Sequence, residues 1–251
     1  MPRFIAPALL ALALCGAPFA VAAENFGESQ RSEIETIIKN YLLAHPEVLE
    51  EATNELTKRK ADAEAKRHEA TITENAETIF NSPRGVTLGN KDGDVTFVEF
   101  FDYNCGYCKR AMADMLDLLK NDPKLKVVLK EFPVLSEGSV DAAKVAIAVR
   151  MQDPKKYLDF HQKLLGGRGP ADKARAMAAA KDAGLDVTRI EKDLLSPEIK
   201  ATISENMKLA EDMDLNGTPS YVIGKQIVVG AVGLEGLKAK IGLARCGKAT
   251  C

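Results

Sequence analysis

Phe97-Val98-Glu99-Phe100-Phe101-Asp102-Tyr103-Asn104-Cys105-Gly106-Tyr107-Cys108-Lys109 is the stretch on which the reading of this chain turns. Residues 95–101 are rich in Val and Phe, the pattern of a central strand buried on both faces. Helical spacing takes over from 105 to 120. A C-x-x-C that closes a buried strand and opens a helix signals redox chemistry. Cys105 falls at the helix N-terminus, where unpaired backbone N–H groups and the helix dipole favour a thiolate. The thiolate is the attacking species in disulfide exchange. Cys108 lies one turn further in, placed to attack a mixed disulfide and release the substrate. Lys109 and Arg110 add positive charge and are read as solvent-facing.

Two plainer readings of the pair are weaker. A structural disulfide needs no strand-to-helix junction. A zinc site would want a second ligand pair nearby, yet Cys246 and Cys251 lie far along the chain with a different spacing. No histidine stands beside either pair: His45, His68 and His161 are scattered and are read as surface or packing residues. No metal and no cofactor is expected.

Outward from the motif the pattern is mixed α/β. Asn81-Ser82-Pro83-Arg84-Gly85 reads as a boundary. A short strand at 86–88 and a turn at 90–93 precede the central strand, and a second strand follows at 125–132. Residues 139–212 are helical in several pieces, broken at Asp153-Pro154, 166–170, Gly184 and Ser196-Pro197. A hairpin at 220–223 and 226–229 turns around Gly224-Lys225, and a closing helix covers 234–243. This order predicts an α/β sandwich with a helical insertion.

Toward the N-terminus the character changes twice. Residues 28 to about 80 read as helical, with Ile34, Ile37, Ile38, Tyr41 and Leu42 along one face. Leu49, Leu56, Ala63 and Ala70 recur every seven residues; Ala52 partly fills a second seam position, which Arg59 and Lys66 interrupt. A segment so poor in large apolar residues builds no core of its own. It is read either as a charged, solvated helix or as an oligomerisation stalk that buries its apolar face against copies of itself. Residues 1–23 read as a cleaved secretory signal: Arg3, an apolar run, then Ala20-Val21-Ala22. A membrane anchor fits less well, because the run is short and broken by Pro7 and Pro18. A lipoprotein at Cys15 would want a small residue where Leu14 stands. Removing the leader leaves four cysteines, an even number in an exported protein, and the periplasm is the expected compartment.

Composition excludes other classes. Among 251 residues, Lys+Arg is 34 and Asp+Glu is 36, a net charge of -2, so no basic surface is available for nucleic acid. The absence of Trp removes a stacking platform of that kind.

The motif stretch and a second one, Asn216-Gly217-Thr218-Pro219-Ser220-Tyr221-Val222, together resemble the thioredoxin superfamily and, within it, the DsbA-like exported branch. The resemblance spans about 85–245. It implies a thioredoxin fold with a DsbA-type helical insertion at about 138–213, within a domain of 85–251 preceded by a helical segment at 24–84. It implies that Pro219 is a cis-proline facing Cys105, with the Thr218 backbone turned outward to pair with a substrate strand. Glu99, six residues before Cys105, matches the family's buried acid, and a raised pKa would let it take the proton of Cys108. Its other reading is a surface-facing strand residue, and Lys130 is a weak candidate partner from the next strand.

The added N-terminal helix is similar to the suppressor-of-copper-sensitivity C proteins, whose oligomeric members behave as disulfide isomerases. The Gly-Tyr dipeptide and the Thr before Pro219 also resemble the isomerase pattern. The expectation is therefore a periplasmic disulfide isomerase or reductase, a homo-oligomer through 28–80, acting on exported proteins with disulfides or thiols. A DsbD-like membrane reductase would serve it. The alternatives are a DsbA-type dithiol oxidase served by a DsbB-like partner, a copper-binding thiol protein with C-x-x-C as a soft-metal site, and a scaffold. Cys246 and Cys251 are expected to close a small structural disulfide, with a metal-binding or regulatory pair as the other reading.

Overall fold

The computed structural model describes residues 26–251; the proposed leader lies outside them. The chain divides into two units, one ending at Lys58 and the other Arg59–Cys251. In the first, helix α1 (Glu28–Ala44) precedes the start of α2 (Glu47–Glu74), and α1 buries none of its residues. Ile34, Ile37, Ile38 and Tyr41 are all exposed, as are Leu43, Leu49 and Leu56. An apolar helical face left in water in a single chain lacks its partner.

In the second unit a five-stranded sheet has the order β1-β3-β2-β4-β5, from β1 (Val86–Gly89), β2 (Val95–Phe101), β3 (Leu125–Glu131), β4 (Ser220–Ile223) and β5 (Gln226–Val229). Only β2 and β3 run parallel. Alternation along β2 sends Phe97, Glu99 and Phe101 to one face and Val98 and Phe100 to the other. On the first face pack α4 (Gly106–Asn121), α10 (Gly233–Cys246) and the helices α5 (Glu137–Gln152) and α6 (Tyr157–Gly166). On the second, Val98 and Phe100 meet Leu209 and Ala210 of α9 (Pro197–Asp212), Ile72 of α2 and Ile79 of α3 (Ala76–Phe80). Covering both faces is what makes β2 read as an unbroken apolar run. Two further short helices, α7 (Lys173–Asp182) and α8 (Val187–Asp193), complete the stretch between β3 and β4.

Packing across the sheet thus extends N-terminally beyond the 81–85 boundary, which is itself pinned. Ser82 and Arg84 both bind the Glu205 carboxylate, Arg84 also reaches Glu198, and Arg150 donates to the Pro83 carbonyl. Lys130, fully buried, stands 3.6 Å from Glu205. Burial pulls its pKa down and Glu205 resists that pull. Lys130 is not the partner of Glu99. In the parallel register Lys130 sits beside Phe100 and Glu99 beside Leu129, so the two side chains leave opposite faces of the sheet.

At the C-terminus Gly247 takes the left-handed cap of α10 (φ 76°), and a Cys246–Cys251 disulfide folds the tail back. The tail carbonyls of Lys248 and Ala249 lie 2.7 Å from where a Gly242 Cβ would stand, so only glycine admits them. Removing this bridge in a Cys246→Ser, Cys251→Ser double variant is expected to lower stability by about 2 kcal/mol, from the closure entropy of so short a loop. Disulfide exchange should be unchanged. Calorimetry beside a turnover assay checks both, and lost turnover would give the pair a catalytic or regulatory role.

Candidate active site

Strand β2 ends at Phe101, and three polar residues turn the chain into α4. The buried Asp102 carboxylate accepts from the Asn104 N–H at 2.7 Å and from the Val134 and Leu135 N–H groups at 2.9 and 3.0 Å. Asn104 accepts from the Ala171 N–H at 2.7 Å and donates to its carbonyl at 2.9 Å. One acid therefore ties the turn to the chain after β3, and one amide ties it to the insertion. Sequence reading assigned neither a role. Their signal is the Asx-type spacing of Asp-Tyr-Asn at the end of a strand.

Cys105 is the N-cap of α4, and its sulfur accepts from the Cys108 N–H at 3.3 Å. Both cysteines are free thiols. The Cys105 thiol donates to the Thr218 carbonyl at 3.1 Å, across 113 residues of sequence. Thr218-Pro219 is a cis peptide bond. The Pro219 carbonyl is held by the Gly230 N–H at 2.8 Å. Cys105 is 6% exposed and Cys108 0%, so a reagent meets the first sulfur before the second. Burial pushes the Cys108 thiol far up, opposed by a backbone hydrogen bond at Asp102. Beside this pair the surface offers Tyr107, Val134 and Leu135, all exposed, with the Arg110 guanidinium 4.3 Å from the Tyr107 ring centre. Lys109 reaches the Gly167 carbonyl.

Glu99 is enclosed beneath α4 rather than surface-facing. Desolvation, with the nearby Asp114 charge second, pushes its carboxyl up from 4.5 to about 8. The Glu99 charge is in turn one of the influences that raise the Cys108 thiol. Across β4 the residue paired with Glu99 is Tyr221, which sequence reading quoted but gave no role.

A separate buried set lies behind the turn. Tyr103 Oη is 3.2 Å from both Tyr157 Oη and His161 Nδ1, and Tyr157 donates to Glu131 at 2.6 Å. His161, pushed down by burial to about 3, is a neutral packing residue, as the sequence reading has it. Among the described residues no cluster of three or more His, Cys, Asp or Glu side chains is arranged to hold a metal.

Comparison with known proteins places these features. Residues 96–242 match the DSBA-like thioredoxin domain, and residues 30–63 match the copper resistance protein ScsC N-terminal domain. A thioredoxin-like oxidoreductase from Silicibacter pomeroyi DSS-3 is 43% identical, with 67% of this chain and 96% of that chain covered and a TM-score of 0.65. Proteus mirabilis ScsC in a transitional conformation is 29% identical over 88% of this chain and 97% of its own, with a TM-score of 0.64. A periplasmic thioredoxin-like protein from Salmonella enterica serovar Typhimurium is 30% identical over 68% and 95%, with a TM-score of 0.63. Among curated relatives, the chain spans only 24% of the length of the Na(+)/H(+) antiporter NhaA 1 of Salinispora arenicola.

Proposed function

Since this chain belongs to the DsbA-like thioredoxin-domain family of thiol–disulfide oxidoreductases, we propose that it is a periplasmic protein disulfide isomerase and reductase. In the proposed reaction Cys105 attacks a substrate disulfide and forms a mixed disulfide, releasing one substrate thiolate. In isomerisation a second substrate thiol resolves it. In reduction Cys108 resolves it, leaving Cys105–Cys108 oxidised and the substrate reduced. Glu99 takes the Cys108 proton. Thr218 and Pro219 border the sulfur, so an extended substrate strand can pair with the Thr218 backbone. The single observation that carries this reading is the pair itself: a helix-capping thiol at the surface edge against a carbonyl, and a second thiol sealed one turn behind it.

Isomerase is favoured over dithiol oxidase by the N-terminal unit. Its apolar stripe is unpartnered in one chain, and residues 30–63 match an ScsC N-terminal domain. A stripe of this kind is buried by self-association, which would set several Cys105 sites around one substrate. An assembly would also deny a DsbB-like membrane oxidase access, leaving a DsbD-like reductase as the donor. Export is supported by the leader pattern of residues 1–23 and by the periplasmic relative. No described helix is long and apolar enough to cross a membrane.

The test is refolding of scrambled ribonuclease. Deletion of residues 26–58 is the informative cut, since a deletion reaching 80 would also strip Ile72 and Ile79 from the sheet. With it goes an Ile37→Asp, Ile38→Asp variant, altered only at exposed positions. Both are expected to be monomeric by light scattering and to lose at least tenfold in unscrambling while still oxidising simple thiols. Full unscrambling by a monomer would remove assembly as the basis of isomerisation, and strong oxidation of reduced substrate with no unscrambling by the wild-type chain would leave the oxidase.

A further inference from the structure

The active-site turn is stitched to one loop of the helical insertion at two points. At one end of that loop, Ala171 exchanges two hydrogen bonds with the Asn104 side chain, at 2.7 and 2.9 Å. At the other end, the Lys109 ammonium donates to the Gly167 carbonyl. Asn104 directly precedes Cys105, and the Lys109 N–H bonds the Cys105 carbonyl at 3.1 Å. Residues 167–171 therefore run alongside the turn that carries the attacking thiol. Arg168, Gly169 and Pro170 span the gap between the two stitches, and Arg168 is exposed there.

Four cations gather along this rim. Lys109 and Arg110 come from the start of α4 and Arg168 from the loop, all three exposed. The fourth is Arg175 of α7, half-buried, whose guanidinium lies against the same loop. Its Nη2 is 2.5 Å from where a Gly167 Cβ would stand, and its Nη1 is 2.9 Å from where a Gly169 Cβ would stand. Glycine at both positions is what admits the guanidinium. The acids of this region are engaged elsewhere. Asp172 accepts from the Arg175 backbone N–H at 2.9 Å, Asp159 pairs with Lys163, and Glu191 pairs with Lys173. Among the described residues, no carboxylate stands within ion-pair distance of Lys109, Arg110, Arg168 or Arg175. The planar donor forks of Arg168 and Arg175, which match the two oxygens of a carboxylate, are thus not used within the chain.

We propose that this cationic rim selects substrates by charge, favouring polypeptide disulfides flanked by Asp or Glu. The inference rests on the reading of Cys105 as the attacking thiol. A substrate disulfide that reaches Cys105 carries its flanking residues past the rim, where an acidic side chain meets the donors of Arg168 and Arg175. Charges at the edge of a binding surface act mainly on the rate of encounter and on its salt dependence. The whole chain, at a net charge of -2, repels an acidic partner at long range. A preference for acidic substrates is therefore the signature of the local rim and not of the overall charge. Nucleic acid needs a longer basic track than four cations beside one thiol.

The experiment measures, by quenched flow, the rate at which the full chain with a reduced active site attacks three synthetic peptides. Each peptide holds one disulfide, flanked by Asp-Glu, by Ser-Gly or by Lys-Lys. Rates are normalised to attack by dithiothreitol, which removes differences in the peptides' own reactivity. At low salt, wild type should attack the acidic peptide about tenfold or more faster than the basic one. About 1 M salt should erase most of that difference. An Arg168→Gln, Arg175→Gln double variant should bring the ratio to within about twofold of unity, and Arg168→Gln alone, altered at an exposed position, should lower it by at least about twofold. Equal rates for the acidic and basic peptides in wild type, or a ratio that both variants retain, would overturn the proposal. So would a double variant slowed alike on all three peptides, since the arginines would then act on Cys105 itself. Binding to phosphatidylglycerol vesicles by wild type and not by the double variant, with no peptide preference, would assign the rim to a membrane surface instead. Failure of wild type to attack any of the peptides would overturn the assignment of Cys105 and not the rim.

Discussion

Cys105→Ser is expected to abolish disulfide exchange, and Cys108→Ser is expected to arrest reduction at a covalent intermediate. A serine hydroxyl at 105 keeps the N-cap contacts but offers no thiolate, so the loss should exceed about a thousandfold. At 108 the consequence differs, because that sulfur is fully enclosed and serves only after the first attack. Without it, the mixed disulfide on Cys105 waits for an outside thiol. Intact-protein mass spectrometry after mixing with an oxidised substrate should show one substrate equivalent bound to Cys108→Ser and none bound to Cys105→Ser. Isomerisation should survive in part in Cys108→Ser, since a substrate thiol can resolve the intermediate. The opposite pattern, with adducts on Cys108 when Cys105 is serine, would reverse the assigned roles.

Glu99→Gln is expected to change the dependence of stability on pH strongly. The carboxyl ordinarily titrates at 4.5 and is pushed to about 8 in the fold by desolvation first and Asp114 second. Below pH 4.5 the group is neutral in both folded and unfolded chains, and it imposes no penalty. Between about 4.5 and 8 the unfolded chain releases a proton that the folded chain retains, so stability falls by about 1.4 kcal/mol per pH unit. Above about 8 the penalty is constant, on the order of 5 kcal/mol. Glutamine is neutral throughout. Urea unfolding of the reduced protein from pH 4.5 to 9 should show the variant matching wild type at the acid end and exceeding it increasingly toward pH 8. Because Glu131, Lys130 and His161 titrate alike in both proteins, the difference isolates Glu99. A difference that stays flat with pH would show that Glu99 is not held protonated by burial.

What could be read early and what could not divides by range of interaction. The alternation from Val95 to Phe101, the switch to helical spacing at Cys105 and the turn signals around 224 are local, and strands β2, β4 and β5 lie at the expected residues. Local reading also put Glu99 on strand β2, six residues before Cys105. It failed at Lys130, where a one-residue offset in the β2–β3 register sends the ammonium to the other side of the sheet and into the Glu205 and Ser82 cluster. Nor did spacing expose the two turn holders, Asp102 and Asn104, whose partners at 134, 135 and 171 lie in segments distant along the chain.

By itself, then, the sequence determined that this chain carries a dithiol at the start of a helix, on a buried strand, in an α/β fold with an inserted helical stretch. Periodicity, β-branching and helix-terminus chemistry operate within about ten residues and leave their mark on the residue order. Only the tertiary structure decided which side chains meet that dithiol. The Thr218 carbonyl reaches Cys105, Tyr221 comes to stand opposite Glu99, and Ile72 and Ile79 seal the far face of the sheet. These meetings depend on strand register and on how the core fills, which are settled by the whole chain burying its apolar surface at once.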